Sequence, residues 1–324
     1  MIRKAMKRAT MALAIITVSA TGAANAASSG SSSGPQGPQP GSSARTPTML
    51  VGGLLKVIDS NTGAVVKRFK AANQPSDGHW SPDRKRIAYS AFVLSYRVLH
   101  IMNADGTGAT AIPNAYTIGE PSFSPDGRWL LFAGCDPFTD PSDYAECSVY
   151  KVRSTAPFGK PVRVTKSQEA SDFCQGRPDA YMAPSWNPKR GTYAVNHYCA
   201  DDNKGVAEVR RISDGTLVSR AGFDGTDPDW SPDGQKIIWT AQRHNSLSTC
   251  IVVTPVSLSS VQQITRCTAN PKDYGRWPIF SPDGSRIAWH SGWLSPGGGR
   301  IVTATPTGSD QKVIRWGYAP TFDW

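Results

Sequence analysis

Short apolar runs separated by clusters of Gly, Pro, Asp and Ser extend from Met49 to Trp324. Typical runs are Arg86–Tyr89 and Trp129–Phe132, which are rich in β-branched or aromatic side chains. Runs of about four to eight such residues, bounded by turn-forming residues, are typical of β-strands. The pattern therefore predicts many short strands joined by tight turns.

One phrase recurs along this region: an aromatic residue followed by Ser-Pro-Asp and usually Gly. Its clear copies are His79–Asp83, Ser122–Gly127, Asp229–Gly234 and Ile279–Gly284, and its looser copies are Ser185–Pro188 and Thr321–Trp324. The steps between the aromatic residues are 43, 63, 44, 50 and 42 residues, for Trp80, Phe123, Trp186, Trp230, Phe280 and Phe322. Proline presets the first corner of a tight turn, Asp accepts local backbone hydrogen bonds, and Gly takes the left-handed position. The chain is therefore a repeat of roughly 42 to 44 residues with insertions.

The repeat predicts a closed ring of sheets. Each phrase supplies one strand and three more follow it, and four strands per repeat of about 40 residues are typical of a β-propeller blade. Three strands, Met49–Val51, Leu54–Asp59 and Ala64–Phe69, precede the first phrase, and one strand, about Pro320–Trp324, ends the chain. We therefore expect an all-β, six-bladed β-propeller of four-stranded antiparallel blades, in which the C-terminal strand is the inner strand of the blade begun by the N-terminal strands. An open pair of β-sandwiches is the alternative, and it leaves the six-fold repeat unexplained.

The first 48 residues differ from the repeat region. Residues 1–26 begin with four basic residues, continue through an apolar stretch and end in Ala24-Asn25-Ala26, which is the pattern of a cleaved secretory signal peptide. A transmembrane anchor is the alternative, but the apolar stretch is shorter than the ~20 residues that a bilayer requires. Residues 27–48 are rich in Ser, Gly and Pro and predict a flexible linker, and the propeller occupies 49–324. We expect an exported protein, periplasmic or extracellular, that is not embedded in a membrane.

Composition agrees with this fold and narrows the partners. The 324 residues include 30 Gly and 25 Pro, which excludes a long helical bundle, and ten each of Trp, Tyr and Phe, which excludes wholesale disorder. The 35 basic and 25 acidic residues give an excess of ten positive charges, and removal of the four basic residues in the signal peptide reduces it to six. So small an excess in an exported protein gives no reason to expect nucleic acid as a partner. We expect a monomer.

The repeated phrase also resembles a known family. Trp/Phe-Ser-Pro-Asp-Gly followed by a basic residue and Ile-Ala, together with the turn Ile101–Gly108, resembles the repeat of the TolB-type β-propellers. The resemblance covers about Met49 to Trp324. It implies a propeller that binds other proteins of the cell envelope. In TolB the propeller follows a separate α/β domain, and this sequence has only the short linker there.

Six cysteines in an exported protein imply a disulfide framework, and six cysteines allow fifteen pairings. In the blade model all six lie on the face that holds the loops between second and third strands and the links between blades, which we call the top face. The model selects the pairs Cys135–Cys147, Cys174–Cys199 and Cys250–Cys267. A zinc site is the alternative, but the sequence has no Cys-x-x-Cys pair.

The same model gathers acidic and aromatic residues in the top loops. Rigid loops that carry charge, Tyr and Trp on a stable scaffold are how binding surfaces are usually built. We expect a partner, a protein or an envelope polymer, to bind there through Asp136, Asp140, Asp143, Tyr144, Asp227, Asp229, Tyr274, Trp293 and Tyr318. The alternative is that these loops are simply polar and solvated.

Motifs for chemistry are scarce. The folded region has no Gly-x-Ser-x-Gly elbow, phosphate loop, His-Glu-x-x-His or dinucleotide fingerprint. His79 is the histidine of interest because it falls on a predicted inner strand beside the axial channel, and we expect it to be packed or solvated there. We expect no cofactor, although the Asp-rich loops offer oxygen ligands of the kind that Ca²⁺ takes. We expect a non-catalytic binding module; the alternative is a hydrolase or lyase acting on a glycan or lactone with a divalent metal near the channel.

Overall fold

The repeats fold into six four-stranded antiparallel sheets. The computed structural model describes residues 48–324 with the exception of 53–54, 70–74, 94–95, 136–146, 166–173, 175–178, 200–203, 243–247, 268–273, 293–297 and 317–320. Every regular element in the described part is a strand. A search of those residues for a helix long and apolar enough to cross a membrane finds none.

Each sheet is one blade. The closing blade contains β24 (Phe322–Asp323), β1 (Thr48–Val51), β2 (Lys56–Asp59) and β3 (Val65–Arg68). Blade 1 contains β4 (Ser76–Trp80), β5 (Arg86–Val93), β6 (Tyr96–Asn103) and β7 (Thr110–Tyr116), and blade 2 contains β8 (Ser122–Phe123), β9 (Trp129–Gly134), β10 (Ser148–Arg153) and β11 (Val162–Arg163). Blade 3 contains β12 (Asp179–Trp186), β13 (Thr192–Cys199), β14 (Lys204–Arg211) and β15 (Leu217–Arg220). Blade 4 contains β16 (Asp224–Trp230), β17 (Lys236–Gln242), β18 (Thr249–Pro255) and β19 (Gln262–Gln263), and blade 5 contains β20 (Gly275–Phe280), β21 (Ile287–Ser291), β22 (Arg300–Ala304) and β23 (Lys312–Trp316).

The repeated turn has nearly the same geometry in four blades. In blade 2, Ser124 Oγ donates a hydrogen bond to Asp126 Oδ1 (2.6 Å), and Gly127 has a φ of 67°. The equivalent Ser–Asp bonds of blades 1, 4 and 5 are also 2.6 Å long. These bonds lower the pKa of each turn Asp, with the hydrogen bond from Ser as the main cause. The turn Asp residues therefore shape the backbone, as the phrase predicts.

Six buried apolar clusters join neighbouring blades around the ring. Each cluster combines residues of two adjacent blades, and together they cover every adjacent pair. The aromatic residue of each phrase packs into the cluster shared with the preceding blade, as Phe123 does against Leu99 and Ile112 of blade 1. Because each cluster lies between two sheets, its packing fixes the position of each blade against its neighbours.

The last strand closes the ring as predicted. Within the closing blade, Val51 pairs with Phe322 and Leu50 pairs with Asp323. Asp323 pairs with Leu50 and His79 pairs with Ala88, and these two partners occupy equivalent positions in the second strands of their blades. Asp323 is therefore equivalent to His79 of blade 1. The aromatic residue of the last phrase is therefore Trp324, and our assignment of Phe322 to that role was wrong, since the truncated phrase has no Ser-Pro to fix its register.

The disulfides are Cys135–Cys147, Cys174–Cys199 and Cys250–Cys267, with Cα–Cα distances of 4.1, 5.5 and 4.4 Å. They are the pairs that the blade model selects. Every cysteine lies at the end of a strand or in a link on the top face. The covalent cross-links of the protein are therefore concentrated at one end of the propeller.

Removal of the Phe322 side chain tests the closure. Phe322 is 3% exposed and packs with Met49 and Val51, so Phe322→Ala should lower the free energy of unfolding by about 3–5 kcal/mol. Denaturant unfolding followed by Trp fluorescence measures it. Trp316→Ala is the control, because Trp316 is 71% exposed on the outermost strand of blade 5 and its loss should have little effect. Equal losses in the two variants would contradict the closure.

Candidate functional site

The inner strands of four blades contain a β-bulge. The register between first and second strands shifts by one residue, and the extra residue has a positive φ: 54° at Asp77, 49° at Ala183, 50° at Asp227 and 50° at Trp277. The next residue is Gly in blade 1 and Pro in the other three blades. Since Pro has no backbone N–H, the ladder is interrupted there, and a bulge re-aims the side chain that it displaces.

These bulge residues line one cavity of about 640 Å³ on the propeller axis, which we call the axial cavity. Glu120 and Thr321 line it from blade 2 and the closing blade, so all six blades contribute. Both residues precede the aromatic residue of their phrase by three positions, as the bulge residues do. Further lining residues are Arg97, Met182, Asn196, Tyr198, Thr226 and Arg276.

The axial cavity lies at the top end of the channel. Arg97 is the second residue of β6, and Tyr198 is the residue before the last of β13. Third strands begin and second strands end on the top face, so both side chains belong to that end. The cavity therefore lies on the face that carries the disulfides.

Asp77 is the best-connected acid of the cavity wall. Its Oδ2 atom accepts hydrogen bonds from Arg97 Nη1 (2.8 Å), Ser76 Oγ (2.7 Å) and Ser90 Oγ (2.6 Å). Its backbone N–H donates to Thr321 Oγ1 (3.2 Å) on the closing strand. A half-buried ion pair held by several hydrogen bonds has a fixed geometry, so this part of the wall is rigid.

Asp227 lies across the axis from Asp77, and fewer hydrogen bonds hold its carboxyl group in place. Burial raises the pKa of the Asp227 carboxyl, while hydrogen bonds from Thr226 and Thr240 and the charge of Arg276 act in the opposite direction. Thr226 Oγ1 donates to Asp227 Oδ2 at 3.0 Å. Thr240 Oγ1 also accepts the backbone N–H of Trp277 at 3.2 Å, which fixes the next bulge.

Glu120 is the most strongly perturbed acid of the cavity. Burial raises its pKa well above the ordinary value, and the negative charges of Asp227, Asp77, Asp229 and Asp323 raise it further. A carboxyl group in such surroundings releases its proton less readily than an exposed glutamate does. The wall therefore contains a carboxyl group whose charged form is disfavoured.

A second layer of residues, two positions further along each inner strand and polar in every blade except blade 5, connects the blades. Its side-chain oxygens accept the backbone N–H of the next blade's aromatic residue: Phe280 N donates to Asp229 Oδ2 (2.7 Å), Trp80 N to Asp323 Oδ2 (2.7 Å) and Trp186 N to Ser122 Oγ (2.9 Å). Burial, aided by the charge of Asp323, raises the pKa of Asp229 to about 7. His79 belongs to this layer on β4, with its Nδ1 atom 3.6 Å from Asp323 Oδ2.

Three of the predicted site residues do not lie in exposed loops. Asp227 and Asp229 lie on β16 and on the axis, and Tyr274, just before β20, is buried with 8% of its surface exposed. The stretch from Asp224 to Asp229 is full of turn-forming residues, which is why its sequence indicated a loop. An inner strand beside a polar channel accommodates such residues because their side chains face the channel instead of a dry core. The other expected site residues, Asp136, Asp140, Asp143, Tyr144, Trp293 and Tyr318, lie outside the described residues.

One cluster in the described part of the chain has the spacing of a metal site. Cys174, Asp179 and His197 place one possible ligand atom each within 4.8 Å of one another. The sulfur of Cys174 is bonded to Cys199, however, and His197 Nδ1 and Nε2 lie 3.0 Å from Glu208 Oε1 and 3.1 Å from Asp179 Oδ2. These groups are therefore already paired with one another.

Comparisons with known proteins bear mainly on the fold. No protein-family model matches the sequence. An uncharacterized protein of Agrobacterium fabrum is 28% identical over 185 residues, which are 53% of this chain and 57% of that protein. The chain thus spans little more than half the length of the curated relative that it matches.

Two solved structures have the same architecture. A putative TolB from Agrobacterium tumefaciens superposes with a TM-score of 0.63 at 18% identity, over 85% of this chain and 91% of that chain. TolB from Acinetobacter baumannii gives 0.61 at 15% identity, over 85% of this chain and 65% of that chain. The chain has the fold of a TolB-type β-propeller. The resemblance predicted from the turn phrase is confirmed, and at these identities the TolB-type likeness concerns the fold alone.

Neutralisation of Asp229 tests the buried acids of the TolB-type channel. Because its pKa rises from 3.8 to about 7 on folding, the folded state holds the proton more tightly, and stability is lost as pH rises between these values. Asp229→Asn keeps an acceptor for Phe280 N–H but removes this loss. The melting temperature of the variant relative to wild type should therefore increase by roughly 3 °C or more between pH 4 and pH 8.

Asp310→Asn is the control for this measurement. Asp310 is exposed, and its pKa is lowered by its hydrogen bond with Arg286, so its neutralisation should give no such gain at high pH. A difference between Asp229→Asn and wild type that is the same at both pH values would contradict the shifted pKa.

Proposed function

We propose that this chain is an exported, non-catalytic binding module, and that the axial cavity is the centre of its recognition site for a protein or an envelope polymer. The cavity has the size of ordinary ligand sites, about 300–1,000 Å³. Its wall combines a fixed ion pair, further carboxyl groups and the aromatic residues Trp277 and Tyr198. Few polar groups placed on a rigid scaffold are what gives a binding site its specificity.

The observation that carries the proposal is an unsatisfied acceptor in this wall. Asn196 is 1% exposed, and its Nδ2 atom donates to Asp224 Oδ1 (3.1 Å) and to the carbonyl oxygen of Gly225 (3.0 Å). Its Oδ1 atom has no hydrogen-bond partner among the described residues. A buried acceptor left without a partner costs about 1–3 kcal/mol, so a donor that reaches this atom, which is closed off from solvent in the structure, would recover that energy.

Export is part of the proposal. The pattern of residues 1–26 is that of a secretory signal, and disulfides persist mainly in oxidising compartments. Three disulfides link strand ends on the face where the cavity lies. A cross-linked face loses little conformational entropy when a partner binds, which favours affinity.

The loop residues predicted from the sequence complete the proposed surface. Asp136, Asp140, Asp143 and Tyr144 belong to the segment that the Cys135–Cys147 disulfide closes. We propose that they, with Trp293 and Tyr318, extend recognition outward from the cavity. Their contribution is measured separately by combined substitution of these residues in a chain whose cavity is intact.

A filled cavity tests the proposal. Met182→Trp combined with Thr226→Trp places two large side chains in the axial cavity on strand positions that accept aromatic residues. The immobilised full chain should capture a partner from extracts of its own cell envelope, and the filled variant should capture at least about tenfold less. Quantitative mass spectrometry of the captured material measures the ratio.

The matched control carries Val162→Trp, on the outer strand of blade 2, and Val261→Trp, just before the outer strand of blade 4, which add the same side chains at positions 50% and 52% exposed. This control should capture as much partner as wild type. Circular dichroism and melting temperature establish that both variants fold. Equal capture by the filled variant and the control would contradict the cavity as the centre of recognition.

A further inference from the structure

The axial cavity carries more carboxyl groups than cations to pair with them. Asp77 and Arg97 form a pair at 2.8 Å, so their charges offset one another. Among the described lining residues, Arg276 is then the cation that remains, and its charge acts on Asp227. Glu120 is therefore the carboxyl group of the wall for which the described lining residues offer no further cation.

The deeper layer adds two more carboxyl groups. Asp229 and Asp323 lie close enough to Glu120 for their charges to raise its pKa, and the charge of Asp323 also acts on Arg84. Like charges that crowd a buried site are relieved by a cation placed among them. The axis therefore favours entry of a positively charged group.

An aromatic residue, Trp277, lines the cavity together with Asp227 and Glu120. Trp277 holds a φ of 50°, a conformation that is rare for bulky side chains and that persists where the surroundings impose it. Equivalent positions of the other blades hold smaller residues, Asp77, Glu120, Ala183, Asp227 and Thr321. The Trp277 ring centroid lies 5.7 Å from that of His290, so the ring has a packed neighbour as well as the cavity.

Tyr198 and Met182 line the cavity on blade 3 and add a polarisable surface to that of Trp277. Aromatic faces attract ammonium and guanidinium groups, most strongly where water is excluded. Carboxyl groups and the unpartnered Asn196 Oδ1 accept the hydrogen bonds that such groups donate. Each type of contact that an organic cation makes is thus present in one space.

We propose that the axial cavity binds an organic cation, an ammonium or guanidinium group, between the face of Trp277 and the carboxyl groups of Asp227 and Glu120. The proposal rests on the proposed binding function and names the chemical class of its ligand. The group belongs either to a side chain of a protein partner or to a free amine. The Nε atom of Arg276 has no hydrogen-bond partner among the described residues, so binding of an anion is the competing outcome.

Matched small molecules test the charge requirement on the full chain. N-acetyl-arginine amide and N-acetyl-citrulline amide have nearly the same shape, and only the first is a cation. Calorimetric titration should give the arginine compound an affinity at least about tenfold higher, with a dissociation constant of about 1 mM or below. Equal binding of the two, absence of saturable binding, or tighter binding of N-acetyl-glutamate amide would each overturn the proposal.

Single variants test the residues. Trp277→Ala and Asp227→Asn should each weaken binding of N-acetyl-arginine amide about fivefold or more. Trp316→Ala, in the same blade on an exposed outer strand, and Asp310→Asn, on the surface, should leave it unchanged. Unchanged binding in the first two variants, with the fold verified by melting temperature, would overturn the assignment.

Two further comparisons identify the source of the cation and show which of the two proposals, the binding function or the cation site, fails. Tighter binding of agmatine than of a Gly-flanked arginine peptide supports a free amine, and the reverse supports a partner side chain. Loss of partner capture in the filled variant without any binding of the arginine compound would overturn the cation and leave the binding function standing. Binding of the arginine compound together with full capture by the filled variant would overturn the binding function and support the cation site.

Discussion

The pairing of the last strand with the first holds the channel together. β24 is two residues long, yet it is the sixth inner strand, and without it the closing blade would have three strands and β1 would have an unpaired edge. Asp323 links the closing strand to blade 1, because its carboxylate accepts the backbone N–H of Trp80. Trp324 links it to blade 5, because it packs in the apolar cluster shared by that blade and the closing blade. Thr321 accepts the N–H of Asp77, the acid that holds Arg97, so the wall of the axial cavity depends on the same strand.

Features that repeat locally were predictable from the sequence. The turn phrase forms the same Ser–Asp bond in four blades because the geometry needs only neighbouring residues, as Ser124 and Asp126 illustrate. The aromatic residues pack between blades because each occupies the same place relative to that turn. The six sheets and their closure follow from counting these units. The disulfide pairs follow from strand order, since each joins strand ends that the blade topology brings together.

The cavity was not predicted, because its residues contradict the usual pattern of a strand. Asp227, followed by Pro, and Glu120, also followed by Pro, occur in stretches whose composition indicates a loop. Their positions become intelligible only when six inner strands meet on one axis and leave a polar channel between them. A signal was nevertheless present: in every phrase one residue precedes the aromatic residue by three positions, and these residues converge in the cavity. Aligning the phrases on their aromatic residues, with Trp324 as the last, would have identified the ring.

Amide hydrogen exchange in the variant Asp323→Ala tests the closure most directly. The Trp80 N–H is bonded to Asp323 Oδ2, whereas the equivalent Trp186 N–H is bonded to Ser122 Oγ on a part of the ring that the substitution does not touch. If the C-terminal strand closes the ring, exchange at Trp80 and along β1 accelerates by about tenfold or more while exchange at Trp186 is unchanged. Equal protection of Trp80 in the variant and the wild-type chain would contradict the account.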